Sequence, residues 1–431
     1  MLMTTSSVRV NRAVSSGEVL YAQIGLLLVI SVLIPASLFW LALERTPLTS
    51  VHVTNSIVGS CLAVGLASYL LRRVTAFPGV RTYRYILPCH AIAFGLVVTV
   101  IVIGRFPYSS IFLTVSFVLS VIAATGLRYL LERTNALRFY VVPYGRMDII
   151  DELREVDWVV LNEPQLPLDS RNSIVADLRV EMPQRWERML ADAALRGQPV
   201  YHIKQLRESL TGRVSIEHLS ENSFGSLSPN FAYDKLKRLS DIVVVMIAFP
   251  LLALPMLITA IAIRMESAGP VLFRQWRVGH GGRVFEVLKF RSMYECQPSQ
   301  DAMAQRDHAI TVHDDPRITR IGRFIRRARI DELPQLINVL RGEMSLIGPR
   351  PEALALSRWY EDELPFYVYR HIVRPGITGW AQVNQGHVAD LESVTAKLQY
   401  DFYYIKNYSA WIDMLIGIRT VGIMLTGFGS K

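Results

Sequence analysis

The chain has 431 residues, of which 51% are hydrophobic and 19% are charged, and its formal net charge is +9. This length exceeds one ordinary domain, and the mean hydropathy of +0.27 excludes a typical soluble protein, so a membrane protein is the expected class. The positive charge suits an anionic membrane surface or phosphate-bearing substrates, and the sequence has no DNA- or RNA-recognition pattern, so no nucleic acid partner is expected.

Four apolar segments occupy the first third of the chain, at about residues 20–42, 54–71, 85–104 and 109–127. Each is near the ~20 residues that a helix needs to cross a bilayer core. Basic residues concentrate in the loops on one side of these segments: Arg9, Arg12, Arg72, Arg73, Arg81, Arg84, Arg128, Arg133 and Arg138. The positive-inside rule therefore places both ends of the block in the cytoplasm. Because the spans hold no charged residue, residues 1–135 are predicted to be a four-helix transmembrane anchor rather than a transporter.

Residues 136–230 are predicted to form a small α/β domain. The segments RFYVVPYG, MDIIDELREV, WVVLNEP and QPVYHIKQL alternate between strand and helix patterns. This alternation resembles a Rossmann-like domain, but no G-x-G-x-x-G follows the first strand, so the usual pyrophosphate seat is missing. We expect a degenerate Rossmann-like domain with a structural or regulatory role.

A fifth long apolar run, residues 235–264, follows a basic lead-in and contains Pro250 and Pro255. Two topologies are open for this run. It could cross the membrane as an ordinary proline-kinked helix. It could also bend at the prolines, enter one leaflet and return to the same side as a re-entrant helix.

The remaining residues, 265–431, are polar and basic and are predicted to form a catalytic domain. The segment PVLFRQWRVGHGGRVFEVLKFRSM predicts two strands around a glycine turn, with Lys289 near the end of the second strand. Arginines then recur at every third position: Arg317, Arg320, Arg323 and Arg326. In a helix this spacing gathers positive charge on one face, which favours contact with an anionic substrate.

The segment IDELPQLINVLRG predicts a helix with Asp331 as its N-cap, Pro334 in its first turn and Gly342 just past its end. A helix N-terminus favours bound phosphate and an ionised carboxylate, so Asp331 is a candidate nucleophile. Neighbouring helical positions point about 100° apart, so Asp331 and Glu332 cannot face the same atom. One of them could attack while the other holds a metal.

Three motifs, KFRSM, DPRITRIGRFIRRARIDELPQLINVLRGEMSLIGPRPE and HIVRPGITGWAQVNQG, resemble the bacterial sugar transferase family, the polyprenyl-phosphate hexose-1-phosphate transferases. The resemblance is strong from about residue 235 to the end, and the preceding domains resemble the branch that primes capsule and exopolysaccharide synthesis. It implies an α+β integral membrane protein with a four-helix transmembrane block, a Rossmann-like domain, a re-entrant helix and a mostly helical cytoplasmic catalytic domain. The re-entrant helix would bend at Pro255, although Leu254 stands where the family commonly has serine.

The resemblance also implies a two-step reaction. An aspartate attacks the sugar-linked phosphate of a UDP-hexose, releases UMP and holds a phosphosugar, which undecaprenyl phosphate then accepts. On this chain Asp331 matches the nucleophile, and Glu332 matches a carboxylate associated with Mg²⁺. The family's basic active-site positions fall on Lys289, Arg326, Arg350 and Arg374. The expected transferred group is a hexose 1-phosphate with glucose as the first choice, and galactose or an N-acetylated sugar stays open.

The expected setting is the inner (cytoplasmic) membrane of a bacterium, with the catalytic domain on the cytoplasmic face and membrane lipids as partners. The resemblance implies a homodimer as the assembly. Residues 411–429 predict an interfacial helix or, alternatively, a helix packed in the core. His371 and His387 are expected to be structural. Two other functions stay open: a transferase that uses a different phosphodiester donor or moves the sugar alone, and a non-catalytic scaffold or transporter whose basic domain binds lipid headgroups.

Overall fold

A computed structural model describes residues 17–42, 51–75, 83–134, 138–153, 156–167, 173–214, 231–294, 315, 317–385 and 391–426. The predictions made for Arg9, Arg12, Arg81 and His387 lie outside these ranges. The chain divides into two compact units, Met1–Gly212 and Arg213–Lys431, each with its own internal packing.

The first unit begins with long apolar helices: α1 (Gly17–Leu28), α2 (Ile34–Ala42), α3 (Val51–Val74), α4 (Tyr83–Ile103) and α5 (Ser110–Thr134). A π-helical turn, Val29–Leu33, joins α1 to α2. The carbonyl oxygen of Ser31 in this turn accepts a hydrogen bond of 2.6 Å from the hydroxyl of Ser116 on α5. Such a bond ties two helices together because an unpaired polar group in apolar surroundings is costly.

Within the described ranges, five helices are long and apolar enough to cross a membrane: Tyr21–Phe39, Val51–Val74, Tyr85–Ile103, Ser110–Leu130 and Ala232–Glu266. The first four fall on the apolar segments noted in the sequence. Large apolar side chains on them stay exposed, among them Leu62, Val100 and Ile111. Exposed apolar surface of this extent is unfavourable in water and favourable in lipid. The chain is therefore a membrane protein.

The described part of the first unit continues with four parallel strands, arranged in the order β2-β1-β3-β4. The strands are β1 (Arg138–Val141), β2 (Asp157–Val160), β3 (Ser173–Ala176) and β4 (Val200–His202). The helices that accompany them are α6 (Asp148–Glu152), α7 (Gln184–Leu195) and α8 (Ile203–Thr211). One apolar cluster, with Phe139 and Leu206, packs on one face of the sheet, and another, with Ile174 and Trp186, packs on the opposite face. Both faces of this sheet are thus covered, as is usual for parallel strands.

The loops that follow β1 and β3 meet at the buried Asp177. Its carboxylate accepts the backbone N–H groups of Arg146 and Arg179, each at 3.3 Å. Gly145 has a φ of +86°, and a Cβ atom there would lie 2.6 Å from Asp177, so only glycine fits. In doubly wound sheets, phosphate groups bind at the topological switch point, where the connections from two neighbouring strands lead to opposite edges of the sheet. Here the Asp177 carboxylate accepts the N–H groups of Arg146 and Arg179, and its negative charge opposes the binding of a phosphate.

The second unit contains a long helix, α9 (Phe231–Glu266), and then an antiparallel hairpin of β5 (Leu272–Val278) and β6 (Val284–Phe290). Gly281 and Gly282, with φ of +64° and +74°, form the turn of the hairpin. The predicted glycine-turn hairpin is therefore confirmed. The other helices described are α10 (Arg320–Arg327), α11 (Gln335–Arg341), α12 (Leu354–Glu363), α13 (Trp380–Asn384), α14 (Leu391–Lys406) and α15 (Ala410–Thr426). A short parallel pair, β7 (Ser345–Ile347) and β8 (Gly376–Thr378), completes the unit.

Polar contacts fix both ends of α9 to the rest of the second unit. Near its start, Lys237 forms an ion pair of 2.5 Å with Asp413 on α15. In the same turn of α9, Arg238 donates a hydrogen bond of 2.8 Å to a carbonyl oxygen at the end of α11. At the last residue of α9, the Glu266 carboxylate accepts the N–H of Ile321 in α10 at 3.0 Å. The helix is thus attached to the same unit at its start and at its end.

The middle of α9 is packed on one side and open on the other. Val245 and Ile263 are buried in two apolar clusters, the first with α11 and β6 and the second with β6 and α10. The helix runs without interruption through Pro250 and Pro255, and its 36 residues correspond to about 54 Å. The opposite face exposes large apolar side chains: Leu236, Leu239, Val243, Val244, Met246, Ile247, Leu251, Leu254, Leu257, Ile258, Ile261 and Met265.

The last helix, α15, is packed in the unit over its first half. Ile412, Leu415 and Ile416 are fully buried. The two charged residues that suggested an interfacial helix both have partners inside the protein, since Asp413 pairs with Lys237 and Arg419 donates to an amide oxygen on α13 at 2.6 Å. The prediction of an interfacial helix is wrong for this half, and the packed-helix alternative holds.

Candidate active site

The two candidate carboxylates lie in a 3₁₀ turn, Ile330–Glu332, between α10 and α11. Arg329 precedes the turn with a left-handed backbone, φ +57°, which reverses the chain direction after α10. The prediction that Asp331 is an N-cap is wrong. Helical backbone already begins at Ile330, so Asp331 lies inside the helical path and cannot take the extended conformation of a cap, and the residue before α11, Pro334, has no capping side chain.

Glu332 is the centre of a buried ionic cluster. Its Oε1 atom accepts a bond of 3.1 Å from the Lys289 ammonium group and one of 2.8 Å from the Arg350 guanidinium group. Burial alone would raise the pKa of Glu332, but the charges of Arg350 and Lys289 outweigh it and hold that pKa well below its ordinary value. Burial also lowers the pKa of Lys289 to about 8, in spite of the neighbouring carboxylate. Glu332 therefore carries a fixed negative charge between two cations.

Asp331 differs from its neighbour in both exposure and charge environment. Its side chain is half-buried, and burial together with the charge of Glu332 raises its pKa. Lys289, Arg326 and Arg350 act in the opposite direction on the same pKa, which places all three within electrostatic range of the carboxylate. The expectation that a helix terminus would keep Asp331 acidic is therefore not met. A more basic carboxylate is a stronger nucleophile once it is ionised.

Of the five predicted site residues other than Asp331, four belong to this site, and the fifth is Arg374. Lys289 and Arg350 contact Glu332, and Arg326 acts on Asp331 through its charge. Arg374 is paired elsewhere: its guanidinium group donates to the Asp234 carboxylate near the start of α9, at 2.8 Å.

Although its side chain faces Asp234, Arg374 has a backbone that lies against the loop carrying Arg350. A Cβ atom on Gly348 would lie 2.3 Å from the Arg374 carbonyl oxygen, and one on Gly376 would lie 2.0 Å from the Gly348 nitrogen. Only glycine permits this approach of the two chain segments. The part of Arg374 in catalysis stays a prediction.

Sequence reasoning missed two arginines that hold the loop of Arg350, the buried Arg370 and the half-buried Arg277. Arg370 donates at 2.8 Å to the carbonyl oxygen of Arg350, and Arg277 donates to the carbonyl oxygen of Pro351. Burial and the charge of Arg350 lower the pKa of Arg277 to about 10. Arg277 lies opposite Phe285 in the hairpin. An apolar residue at the opposite position is the signal in the sequence that could have indicated the burial of Arg277.

The next residue of the loop, Glu352, is fixed by a third contact. Its carboxylate pairs with Lys397, and burial is outweighed by the charges of Lys397 and Arg370, which lower the pKa of Glu352. His371 is buried beside Tyr367, and burial and Arg370 lower its pKa to about 3, so it is neutral, as a structural histidine would be. The loop is thus held at three successive residues, beyond the stiffness of its prolines.

The cluster combines one half-buried carboxylate with several buried cations. In the part of the chain that the structure describes, no group of three or more His, Cys, Asp or Glu could hold a metal by itself. The geometry suits an anionic substrate: the cations can bind phosphate oxygens, and the planar guanidinium of Arg350 can bind two oxygens at once. The chemistry that this favours is phosphoryl transfer.

The chain is similar to known transferases over most of its length. Residues 232–427 match the family described as "Bacterial sugar transferase". The UDP-N-acetylgalactosamine-undecaprenyl-phosphate N-acetylgalactosaminephosphotransferase of Aeromonas hydrophila is 44% identical over 378 residues, 88% of each chain. The UDP-glucose:undecaprenyl-phosphate glucose-1-phosphate transferase of Caulobacter vibrioides is 44% identical over 205 residues, 47% of this chain and 74% of the relative. The protein of the same name from Escherichia coli (strain K12) is 42% identical over 200 residues, 46% of this chain and 41% of the relative. The chain therefore belongs to the bacterial sugar transferase family and is a phosphotransferase enzyme.

Proposed function

We propose that this enzyme transfers a sugar 1-phosphate from a UDP-sugar to undecaprenyl phosphate and releases UMP, as the first step of exopolysaccharide or capsule repeat-unit synthesis. The observation that carries the proposal is the Asp331 carboxylate, made more basic by burial and by Glu332, beside a buried cluster of Lys289 and Arg350. The names of the relatives from Aeromonas, Caulobacter and Escherichia support the two substrates.

In the first half-reaction, an oxygen of Asp331 attacks the sugar-linked phosphorus of the UDP-sugar. A bond forms between that oxygen and phosphorus, and the bond from phosphorus to the bridging oxygen breaks. UMP leaves with the bridging oxygen and the electron pair of the broken bond. Lys289, Arg326 and Arg350 stabilise the charge on the phosphate oxygens, which is the main requirement of phosphoryl transfer. The enzyme then holds the phosphosugar as an acyl phosphate on Asp331.

In the second half-reaction, a phosphate oxygen of undecaprenyl phosphate attacks the same phosphorus. The bond to Asp331 breaks, the carboxylate is regenerated, and the lipid carries the sugar through a diphosphate. Glu332 stays ionised throughout because Arg350 and Lys289 keep its pKa low. Its fixed charge orients the two cations and leaves attack to Asp331.

The carboxylates fit the predicted Mg²⁺ in a limited way. Oε1 of Glu332 is engaged by Lys289 and Arg350, whereas Oε2 has no hydrogen bond among the described residues, which leaves one oxygen for a metal. Mg²⁺ is commonly held by one or two carboxylates together with substrate phosphates and water, and when bound it would neutralise charge on the diphosphate of the UDP-sugar. Glu332 is the residue proposed to hold it.

We also propose that α9 is re-entrant, bending at Pro255 within the continuous helix, with both of its ends at the cytoplasmic face of the inner membrane. The support is that the same unit contacts the start of the helix through Arg238 and its end through Glu266. Ile330, next to the nucleophile, packs in the cluster of Ile263. A straight crossing would put the contacts at the two ends of α9 on opposite faces of the membrane, so the polar unit that makes both contacts would have to lie within the bilayer, which is costly.

The topology can be tested by labelling single cysteines with a membrane-impermeant maleimide, after the native cysteines are replaced by serine. Lys235→Cys precedes the apolar part of α9 and Arg274→Cys follows it, and both positions are exposed. Both variants are expected to react in inside-out vesicles and to be protected in intact cells, because the two sites lie on one side. Labelling of the two positions from opposite sides would contradict the re-entrant helix.

The reaction is tested with the purified full-length protein in lipid nanodiscs containing undecaprenyl phosphate. UDP-glucose, the predicted donor, and UDP-N-acetylgalactosamine, named for the Aeromonas relative, are compared with other UDP-sugars, with Mg²⁺ and with EDTA. UMP release with one donor, suppressed by EDTA, is the expected result. Release of UDP would show transfer of the sugar alone, and absence of turnover with every nucleotide sugar would favour the lipid-binding scaffold.

A further inference from the structure

An open groove of about 330 Å³ lies between the second half of α9 and α10. The residues that line it are Ile258, Thr259, Ala262, Arg320, Ile321, Phe324 and Ile325. Four of these seven residues are isoleucine or phenylalanine, whose side chains are large and purely apolar. The volume of the groove is at the lower end of the range of small-molecule sites, about 300–1,000 Å³. The groove could therefore hold part of an apolar ligand.

The walls of the groove are fixed by the polar contacts of the two helices. Glu266, the last residue of α9, accepts the N–H of Ile321 through both carboxylate oxygens, at 3.0 and 3.2 Å. The hydroxyl of Thr319 accepts the N–H of Gly322 at 2.8 Å, and a Cβ on Gly322 would lie 2.0 Å from the carbonyl oxygen of Ser292. The first turn of α10 is thus held against the end of α9 and against the strand segment that follows β6.

The groove is continuous with the nucleophile through a single apolar cluster. Ile321 and Ile325, which line the groove, pack in the same cluster as Ile330, and Asp331 is the next residue along the chain. The apolar residues that line the groove are therefore packed together with the turn that carries the proposed nucleophile.

The exposed side of the groove belongs to the apolar face of α9. Ile258 and Phe324 are 58% and 65% exposed, and Ile261 and Met265 continue the same apolar surface. Arg320 and Arg323 are also exposed on α10, and no carboxylate partner for either is found in the described part of the chain. Apolar lining with flanking guanidinium groups is complementary to an apolar chain that ends in phosphate.

We propose that this groove binds the prenyl chain of the acceptor, so that the phosphate of the lipid arrives at Asp331. The proposal rests on the proposed function, in which a polyprenyl phosphate accepts the phosphosugar. The groove takes the isoprene units nearest to the phosphate, and the remainder of the chain extends into the lipid of the bilayer.

The test fills the groove and leaves the donor half-reaction to be measured separately. Ala262→Phe places a ring in the groove, and the matched control Ala253→Phe places the same ring on an exposed position of α9 outside it. Ala262→Phe is expected to raise KM for undecaprenyl phosphate by roughly tenfold or more, since the ring competes with the chain for space. Ala253→Phe is expected to leave this KM within about twofold of the unsubstituted enzyme.

Isotope exchange between UMP and the UDP-sugar needs no acceptor, so it reports the first half-reaction alone. Exchange near the unsubstituted rate together with a raised acceptor KM in Ala262→Phe supports the groove. Retained exchange with an unchanged acceptor KM overturns it, and would favour a bulk phospholipid as the occupant. Absence of exchange in the unsubstituted enzyme would instead refute the proposed function.

A second measurement decides the matter if Ala262→Phe fails to fold. A prenyl phosphate with a photoreactive group near its phosphate end is bound to the unsubstituted full-length protein, irradiated and mapped. The label is expected in the α9 segment 258–262 or the α10 segment 320–325, and competition with undecaprenyl phosphate should remove it. Labelling confined to other segments would overturn the proposal.

Discussion

Replacing Asp331 with asparagine is expected to lower UMP–UDP-sugar exchange on the order of 10⁴-fold or more, which is the scale of losing an enzymic nucleophile. The amide keeps the size of the side chain and removes the attacking oxygen, so no acyl phosphate can form. Exchange is measured with isotopically labelled UMP, and the covalent phosphosugar is sought by mass spectrometry of the protein incubated with the UDP-sugar alone. The adduct is expected on the unsubstituted protein and absent from the variant.

Asp362→Asn is the matched control, because Asp362 is exposed on α12 and the same chemical change there leaves the ionic cluster intact. Its exchange rate is expected to equal that of the unsubstituted enzyme. An adduct mapped to Glu332, or an undiminished exchange rate in Asp331→Asn, would show that the roles of the two carboxylates have been assigned the wrong way round.

Replacing Arg370 with methionine is expected to destabilise the second unit by about 3–5 kcal/mol, the usual cost of leaving a buried charge without its partner. Arg370 and Asp401 form an ion pair of 2.8 Å, and their side chains are only 3% and 2% exposed. The substitution also removes the hydrogen bond to the carbonyl oxygen of Arg350. A lower melting temperature in nanodiscs is expected, together with a lower kcat in the protein that remains folded.

Asp401→Asn combined with Arg370→Met tests the physical reason, since it removes the stranded carboxylate. The double variant is expected to recover part of the lost stability but not the lost kcat, because the loop of Arg350 still lacks its support. Arg323→Met, at an exposed position of α10, is expected to change stability by no more than about 0.5 kcal/mol. Equal melting temperatures for Arg370→Met and Arg323→Met would contradict the account.

Local sequence patterns were sufficient where structure depends on neighbouring residues. The apolar segments indicated membrane helices because composition over ~20 residues decides transfer to lipid. The glycines of the hairpin were found because a backbone with positive φ favours glycine in a tight turn. Gly342, with φ +84° after α11, was placed correctly for the same reason.

Long-range pairings were beyond the sequence. Arg370 meets Asp401 across 31 positions and Lys237 meets Asp413 across 176, and no periodicity relates such residues. Arg374 was assigned to the site by resemblance, and its partner Asp234, 140 positions away, could not be read from the motif. The wrong assignment of Asp331 as a cap has a different origin, since an aspartate shortly before a helix fits both a cap and a 3₁₀ turn.

Because α9 is attached to the catalytic unit at both of its ends, the folding of this unit depends on the insertion of α9 into the membrane. A fragment beginning at residue 265 would lose Lys237 opposite Asp413 and the contact of Arg238 with α11, and it would expose the apolar clusters around Val245 and Ile263. Such a fragment would have no water-soluble native state. A cell that makes this protein is therefore expected to hold its active enzyme only in the membrane.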